Sequence, residues 1–420
     1  MVSILGEPGS NGVQAVAKRD PSNDVRTLIP PLGLREYWYP AIEDKKVKNK
    51  PVGLKLLGDD VVFFRGKDGK VAALWNVCPH RGGSLMHGDC HFEGTISCPY
   101  HGWTFDGEGN VLAVLPEGPE SKIPGKVMAR KYPTVTLKGM VFIWMGDQEP
   151  APMEEDIPPE FFDDISLVLY HTEYWPVNWN VALENGVDAH VPYVHRNSFR
   201  QFMFPMGPTG PRGARNAVVN GRAVIPQRAG KPLTSGRSFK KIFFPLLDNY
   251  WPKHELRYWF NWLFIPAAKR QAKKPSWSAP EEWSGGHHLP GMYRGDQKNN
   301  LYTRNAVPVT ENFSRQVYFK AVRPKTRLGR LYERIHFWMS YRWVMFVNFS
   351  NQDFRVVGPQ RYNTPEYLSA TDSHQVLWRR TILQARGMLP IDQAAAIEYT
   401  SAEQFSFERQ EELGENAEKM

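Results

Sequence analysis

One interleaved set of four metal-binding side chains constrains this chain more than any other feature. Cys78-Pro79-His80 is followed, after seventeen further residues, by Cys98-Pro99-Tyr100-His101, a C-x-H-x17-C-x2-H pattern. Arg81-Gly82-Gly83 and Gly102-Trp103 adjoin the two pairs, so each pair stands where a strand would end in a Pro/Gly loop. Two thiolates and two imidazoles suit a tetrahedral zinc ion or a [2Fe–2S] cluster. Zinc sites usually group like ligands, as C-x2–4-C and H-x3–5-H. Here each loop supplies one Cys and one His, which fits a cluster whose first iron takes both thiolates and whose second takes both imidazoles. A zinc knuckle is the alternative. Three cysteines in 420 residues exclude a disulfide framework and leave Cys90 as a bystander. His87 and His91, inside the insert, read as exposed loop histidines.

The surrounding sequence divides in two. Residues 1–34 are polar and then Pro-rich (Ile29-Pro30-Pro31), a leader strapped to the first domain. Val52–Leu57, Val61–Arg65 and Val71–Val77 read as strands separated by Gly58-Asp59-Asp60 and Lys67-Asp68-Gly69. Thr104–Leu112 turns at Asp106–Asn110, and Val135–Trp144 at Lys138-Gly139. This spacing predicts a small antiparallel β domain over 35–148, ending in the Pro- and acid-rich stretch Gly146–Pro159. Residues 149–400 mix helix and strand. Trp179–Val194 reads as a helix capped by Asn178 or Asn180. Arg327–Met339 places Leu328, Leu331, Ile335 and Trp338 at helical spacing, Val344–Asn348 reads as a buried strand, and Gln375–Gln384 as a helix. Residues 401–420 form an acidic tail of net −4, leaving +12 on the rest of a chain whose net charge is +8.

A second constellation lies beyond the boundary. Residues 184–195 read Glu-Asn-Gly-Val-Asp-Ala-His-Val-Pro-Tyr-Val-His, with His190 and His195 five apart and Pro192 between them to bend the segment. Non-haem Fe(II) sites that activate O₂ use two His and one carboxylate on one face of the metal.

The motif C78PHRGGSLMHG with C98PYHGW resembles the cluster loops of Rieske non-haem iron oxygenases. The segment Glu184, Asn185, Asp188, His190 and His195 resembles the family's mononuclear iron motif, E/D-N-x-x-D-x-x-H-x4-H. One residue, Ala189, separates Asp188 from His190 where the family has two, which bears on the bridging geometry of Asp188. The resemblance implies an α+β protein: an N-terminal all-β Rieske [2Fe–2S] domain, then an α+β catalytic domain with an antiparallel sheet flanked by helices. It implies that Cys78, His80, Cys98 and His101 hold the cluster and that His190 and His195 bind Fe(II). The third ligand comes from the carboxylate-then-helix segment Ser350–Val357 as Asp353, with Asp372 and Glu366 as competitors. Asp188 would hydrogen-bond a ligand His and bridge to the Rieske His of a neighbouring subunit, and Asn185 would face the ring over the iron. Respiratory Rieske proteins carry a further Cys in each loop, joined as a disulfide. Gly83 and Tyr100 occupy those positions here, which favours the oxygenase type.

The implied activity is that of the oxygenase (alpha) component of a ring-hydroxylating system. It would hydroxylate an aromatic or other hydrophobic ring, singly or as a cis-diol. An O- or N-demethylase, or a Rieske electron-transfer protein without oxygenase chemistry, are the alternatives. Aromatic residues are 13% of the chain, and Phe199–Phe264, with Phe346 and Phe349, would line the ring pocket. No dinucleotide fingerprint is present, so NAD(P)H would be used by a separate ferredoxin reductase, with an acidic ferredoxin suited to the +12 body. Lys253–Lys274 and Lys320–Arg334 are basic segments that would receive the donor, although solvated faces account for each. The family implies a homotrimer, and Glu-Asn-Gly-x-Asp with His287-His288-Leu289-Pro290-Gly291 resembles carbazole-dioxygenase-like oxygenases, which lack β subunits. No nucleic-acid motif, secretory signal or membrane-length apolar run appears, so a cytoplasmic protein without nucleic-acid or membrane partners is expected.

Overall fold

A computed structural model describes residues 25–186, 190, 194–195, 198–200, 216–226, 260–264, 266, 279–296, 300–360, 366–368 and 372–388. Residues 1–24, the 401–420 tail, Asp188 and most of Phe199–Phe264 lie outside the described residues.

The first part of the chain is built from three small antiparallel sheets. One pairs β1 (Trp38–Glu43) with β10 (Met140–Trp144), and β10 with β9 (Thr134–Leu137). A second runs β2 (Val52–Leu56), β3 (Asp59–Arg65), β4 (Val71–Trp75), β8 (Lys131–Tyr132). The third, β5 (Ile96–Ser97), β6 (Trp103–Phe105) and β7 (Val111–Val114), carries the second cluster loop. The expected turns fall between these strands because Gly58, Gly69, Gly109 and Gly139 take left-handed backbone angles there. Strand β3 is buried on both faces. Val62 and Phe64 enter a core with Leu74, Leu85, Ile96 and Phe105 under the cluster loops, while Val61 and Phe63 enter the main core. Each such side chain contributes roughly 1.5–3 kcal/mol on burial, so one strand fastens the cluster end to the rest of the molecule.

The second part is a seven-stranded antiparallel sheet in the order β11-β17-β16-β15-β14-β13-β12. Its strands are β11 (Leu167–Trp175), β12 (Asn216–Val219), β13 (Ala223–Pro226), β14 (Gly286–His288), β15 (Met292–Asp296), β16 (Leu301–Thr310) and β17 (Phe313–Val322). The helices are the single turn α1 (Met153–Asp156), α2 (Trp179–Glu184), α3 (Arg327–His336), α4 (Asn351–Val357) and α5 (Ser373–Leu383). The fold class is the expected one, with the main core running unbroken from β1, β3 and β10 to β16 and β17.

Four sequence expectations are corrected. The leader straps both parts, since Pro30 O accepts the Trp179 indole N–H at 2.9 Å and Arg26 meets Glu366 at 3.6 Å. Helix α2 stops at Glu184, ten residues short, because Asn185-Gly186 turns the chain; its N-cap is Asn178, which accepts the Asn180 N–H at 2.8 Å. Val344–Asn348 is not a strand but part of a wide π-helical stretch, Trp343–Ser350, that follows another at Phe337–Tyr341. A short apolar run has no period that separates a buried strand from a buried helix. Helix α3 has the predicted period, yet its apolar stripe faces outward: Leu328 is 79% and Leu331 53% exposed. The inward face is held by Glu333, which pairs with the buried Lys320 of β17 at 2.8 Å.

Candidate metal centres and their chemistry

The two cluster loops fold alike. The Cys78 N–H donates to Gly83 O at 2.8 Å and Gly82 N–H returns to Cys78 O at 2.9 Å. Twenty residues on, Cys98 N–H donates to Trp103 O at 2.8 Å and Gly102 N–H returns to Cys98 O at 3.0 Å. Gly82 and Gly102 close these pinched turns at φ 73° and 65°, where a side chain would be strained. The folding pattern brings His80 and His101 to a ring separation of 4.6 Å, with the Trp103 ring stacked on His80 at 4.8 Å. Cys78 and Cys98 are buried, whereas His80 is exposed and His101 half-buried. A group held here would therefore carry its thiolate side inward and its imidazole side at the surface. Burial pushes the Cys78 thiol up to about 11, so it ionises readily only with a cation to bind. A Cβ at Gly83 would stand 3.5 Å from Cβ of Tyr100, so the two loops touch at the positions that carry the extra cysteines in respiratory proteins. His87 and His91 are exposed, and Cys90 packs at the edge of the core beneath the loops.

The second constellation also converges. His190 and His195 present Nε2 atoms 3.3 Å apart, and Asp353 Oδ1 lies 3.0 Å from the first and 2.7 Å from the second. Glu366 and Asp372, the competing carboxylates, are elsewhere: Glu366 binds Arg379 and Asp372 begins α5. Two elements deliver the triad. The turns after α2 bring in the histidines, with Val194 N–H bonded to His190 O at 2.9 Å. The π-helical stretch delivers Asp353 into the first turn of α4. Wide turns of this kind are frequent at functional sites.

Second contacts fix the donors. His195 Nδ1–H donates to Gln352 Oε1 at 3.2 Å, which leaves the Nε2 lone pair facing Asp353. The His195 ring stacks on Phe349 at 3.6 Å. Burial lowers the His195 pKa by more than Asp353 restores. Burial alone would raise the Asp353 carboxyl, but the adjoining His195 and His190 outweigh it and hold the group well below the usual carboxylate range. Three electron-pair donors thus crowd one point, and the buried Asp353 Oδ1 makes no hydrogen bond there. Ligands about 2.1 Å from one ion and at right angles to each other lie about 3 Å apart, which these separations match. The nitrogen, nitrogen, oxygen set suits a ferrous ion with open positions on its other face. Asn185, at the end of α2, is buried with Nδ2 unsatisfied among the described residues. A hydrogen-bond donor is thus available beside the ligand loop.

Helix α2 is gripped on all sides. Arg304 Nη2 donates to Ala182 O at 2.7 Å, Arg379 forks onto both Glu184 oxygens at 2.7 Å, and the Trp378 indole N–H donates to Asn180 Oδ1 at 3.0 Å. None of Arg304, Gln352 or Arg379 was marked by a sequence motif; each is identified only by its partner in space. Of the expected aromatic lining, Phe199, Phe260, Phe264, Phe346 and Phe349 are described, and Phe260 is exposed. Phe199 and Phe346 share a buried cluster with Tyr302, Tyr318, Phe337 and Tyr341.

Residues 37–132 match the Rieske [2Fe-2S] domain, and residues 144–228 match the homotrimeric ring hydroxylase family. The chain is 36% identical over 197 residues to the terminal oxygenase component of carbazole 1,9a-dioxygenase from Metapseudomonas resinovorans, covering 45% of this chain and 51% of that one. It is 34% identical over 176 residues to the phthalate 4,5-dioxygenase oxygenase subunit of Pseudomonas putida, covering 40% and 39%. Chlorophyllide a oxygenase of Arabidopsis thaliana is 32% identical over 214 residues, covering 47% and 38%. The chain thus matches about half the length, or less, of these curated relatives. Among solved structures, the terminal oxygenase of carbazole 1,9a-dioxygenase from Novosphingobium sp. KA1 superposes with TM-score 0.67 at 23% identity, covering 87% of this chain and 97% of that one. The reduced oxygenase–ferredoxin complex of carbazole 1,9a-dioxygenase gives 0.67 at 24%, covering 90% and 95%. These likenesses are of fold.

Proposed function

From a chain that joins a Rieske [2Fe-2S] domain to a ring-hydroxylase catalytic domain, we propose a terminal oxygenase that hydroxylates an aromatic or other hydrophobic ring with O₂. The observation that carries this reading is the meeting of His190, His195 and Asp353 in a chain that also holds the two cluster loops. In this reading residues 35–148 are the cluster domain and 149–400 the iron domain. Cys78, His80, Cys98 and His101 hold the cluster; His190, His195 and Asp353 hold a ferrous ion. When bound, the cluster supplies single electrons and the ferrous ion supplies a site for O₂ reduction.

The chain's own residues do the remaining work. His80, exposed, offers the cluster side an electron path to a partner. Gln352 keeps the lone pair of His195 directed inward, and buried Phe199 and Phe346 exclude water. Asn185 donates its unsatisfied N–H to a bound substrate. Asp188 links the iron site to the cluster of a neighbouring copy in a homotrimer. The electron donor is a ferredoxin and/or a ferredoxin reductase that uses NAD(P)H. Among the described residues no helix is long and apolar enough to cross a membrane, which supports placing the protein in the cytoplasm.

Substrate-dependent O₂ uptake over a panel of aromatics, with a surrogate ferredoxin and reductase, tests the reading. Uptake with hydroxylated product supports it; a dealkylated product supports the demethylase. A Rieske spectrum without uptake, unchanged in a His195→Ala variant, supports an electron carrier.

A further inference from the structure

Helix α2 ends six residues before His190 in the sequence, and two histidines outside the triad hold that end. His287 Nε2–H donates to Leu183 O at 2.9 Å, the same carbonyl that takes the Gly186 N–H at 2.7 Å. His287 Nδ1 lies 2.9 Å from His374 Nε2, and His374 Nδ1 lies 3.0 Å from Asn216 Oδ1. Both rings are buried, and burial favours the neutral form, holding His287 well below the ordinary range and His374 down to about 4.

A neutral imidazole carries one proton, and a carbonyl can only accept. His287 therefore keeps its proton on Nε2. Asn216 Oδ1 can only accept, so His374 Nδ1–H donates to it, while Asn216 Nδ2 donates to Ser373 Oγ at 3.3 Å. These contacts run from β12 through α5 and β14 to the last turn of α2. Tyr293 closes the other side of the turn: a Cβ at Gly186 would stand 2.8 Å from its ring, which meets His287 edge-on at 5.9 Å.

We propose that His287 and His374 are positioning residues of the mononuclear metal site. They fix the 183–186 turn, and through it the approach of His190 to His195 and Asp353. The inference rests on the reading of those three residues as a metal triad. Removing the Nε2–H donor takes one hydrogen bond from the Leu183 carbonyl and frees the turn to rotate, which displaces His190.

The test is an anaerobic Co(II) titration of the full chain, its cluster in place and its mononuclear ion removed by chelator. The visible bands of bound Co(II) read the triad, and the cluster's own absorption reports that the chain is folded. His287→Leu is expected to weaken Co(II) binding about 10- to 100-fold, the usual scale for partners behind metal ligands, and to shift its bands while the cluster spectrum stays unchanged. His287→Gln, which keeps a side-chain N–H donor, restores most of the affinity. His374→Leu weakens binding in the same sense. Wild-type affinity and bands in His287→Leu would overturn the proposal, as would a Gln variant no better than Leu. If His287→Leu fails to fold, His374→Leu decides: weakened binding supports the proposal and wild-type binding overturns it. A wild-type chain that takes no Co(II), or that takes it equally well as His195→Ala, overturns the triad reading itself.

Discussion

Asp353 Oδ1 lies 2.7 Å from Nε2 of His195, and both side chains are buried. On the proposed reading, one cation satisfies that oxygen and both histidine nitrogens at once. The remaining side chains are arranged to keep those three atoms together.

Gln352→Leu tests that arrangement at its second layer. Loss of the acceptor for His195 Nδ1–H frees the ring to turn or change tautomer. Metal affinity, read by competition with a chelator, is expected to fall about 10- to 100-fold. Gln352→Glu, which still accepts, keeps most of the affinity. Equal affinities in all three proteins would remove Gln352 from the account.

The inward face of α3 makes stability depend on acid. Burial alone would raise the Glu333 carboxyl, but His336 and Lys320 outweigh it and hold it at about 2. An unfolded glutamate titrates at about 4.3. The folded value is the lower one, so the stabilisation is complete above that pH and is lost as pH falls towards 2. Burial also pulls the Lys320 ammonium down by more than Glu333 restores, so the pair contributes less than the carboxyl shift alone implies. Lys320→Met is expected to lose about 3 kcal/mol at neutral pH, with a shallower acid dependence than wild type in urea unfolding between about pH 5 and 2.

The cluster loops touch closely enough to be joined. With 3.5 Å between Cβ positions at Gly83 and Tyr100, within the usual disulfide range, Gly83→Cys with Tyr100→Cys is expected to form a bond on oxidation. Mass spectrometry and thiol counting of the unfolded, oxidised protein check this. Two free thiols persisting at these positions would show that the loops stand further apart.

Asp156 ties the two parts of the molecule. Its carboxylate receives Arg222, Arg386 at 2.5 Å and the Trp38 N–H at 3.1 Å, from the β12–β13 turn, α5's trailing loop and β1 respectively. Asp156→Ala leaves both guanidinium groups with Glu155 alone among carboxylates, and a loss of about 1–3 kcal/mol is expected. Urea unfolding followed by cluster absorption and by tryptophan fluorescence should shift together. A shift in one probe alone would show that the parts unfold independently.

The β domain was legible because Gly and Asp turns punctuate it at strand spacing, and the histidines of both constellations were legible because their ligand spacing is local. Asp353 could be picked from three carboxylates only through the segment around it. What stayed hidden is long-range: Gln352 behind His195, Arg304 and His287 on the carbonyls of α2, and the outward stripe of α3. The first two depend on which element lies opposite. The last inverts the usual rule because Glu333, a polar residue, has a buried cation to meet. The run at Val344–Asn348 misled because an apolar segment without a period fits strand and helix equally.

Iron counting with low-temperature EPR on wild type and Asp353→Ala, purified anaerobically, tests the central claim most directly. The account predicts that Asp353→Ala keeps the two cluster irons and a Rieske signal but loses the mononuclear iron and all substrate-dependent O₂ uptake. Retention of the mononuclear iron and of O₂ uptake in Asp353→Ala would contradict it.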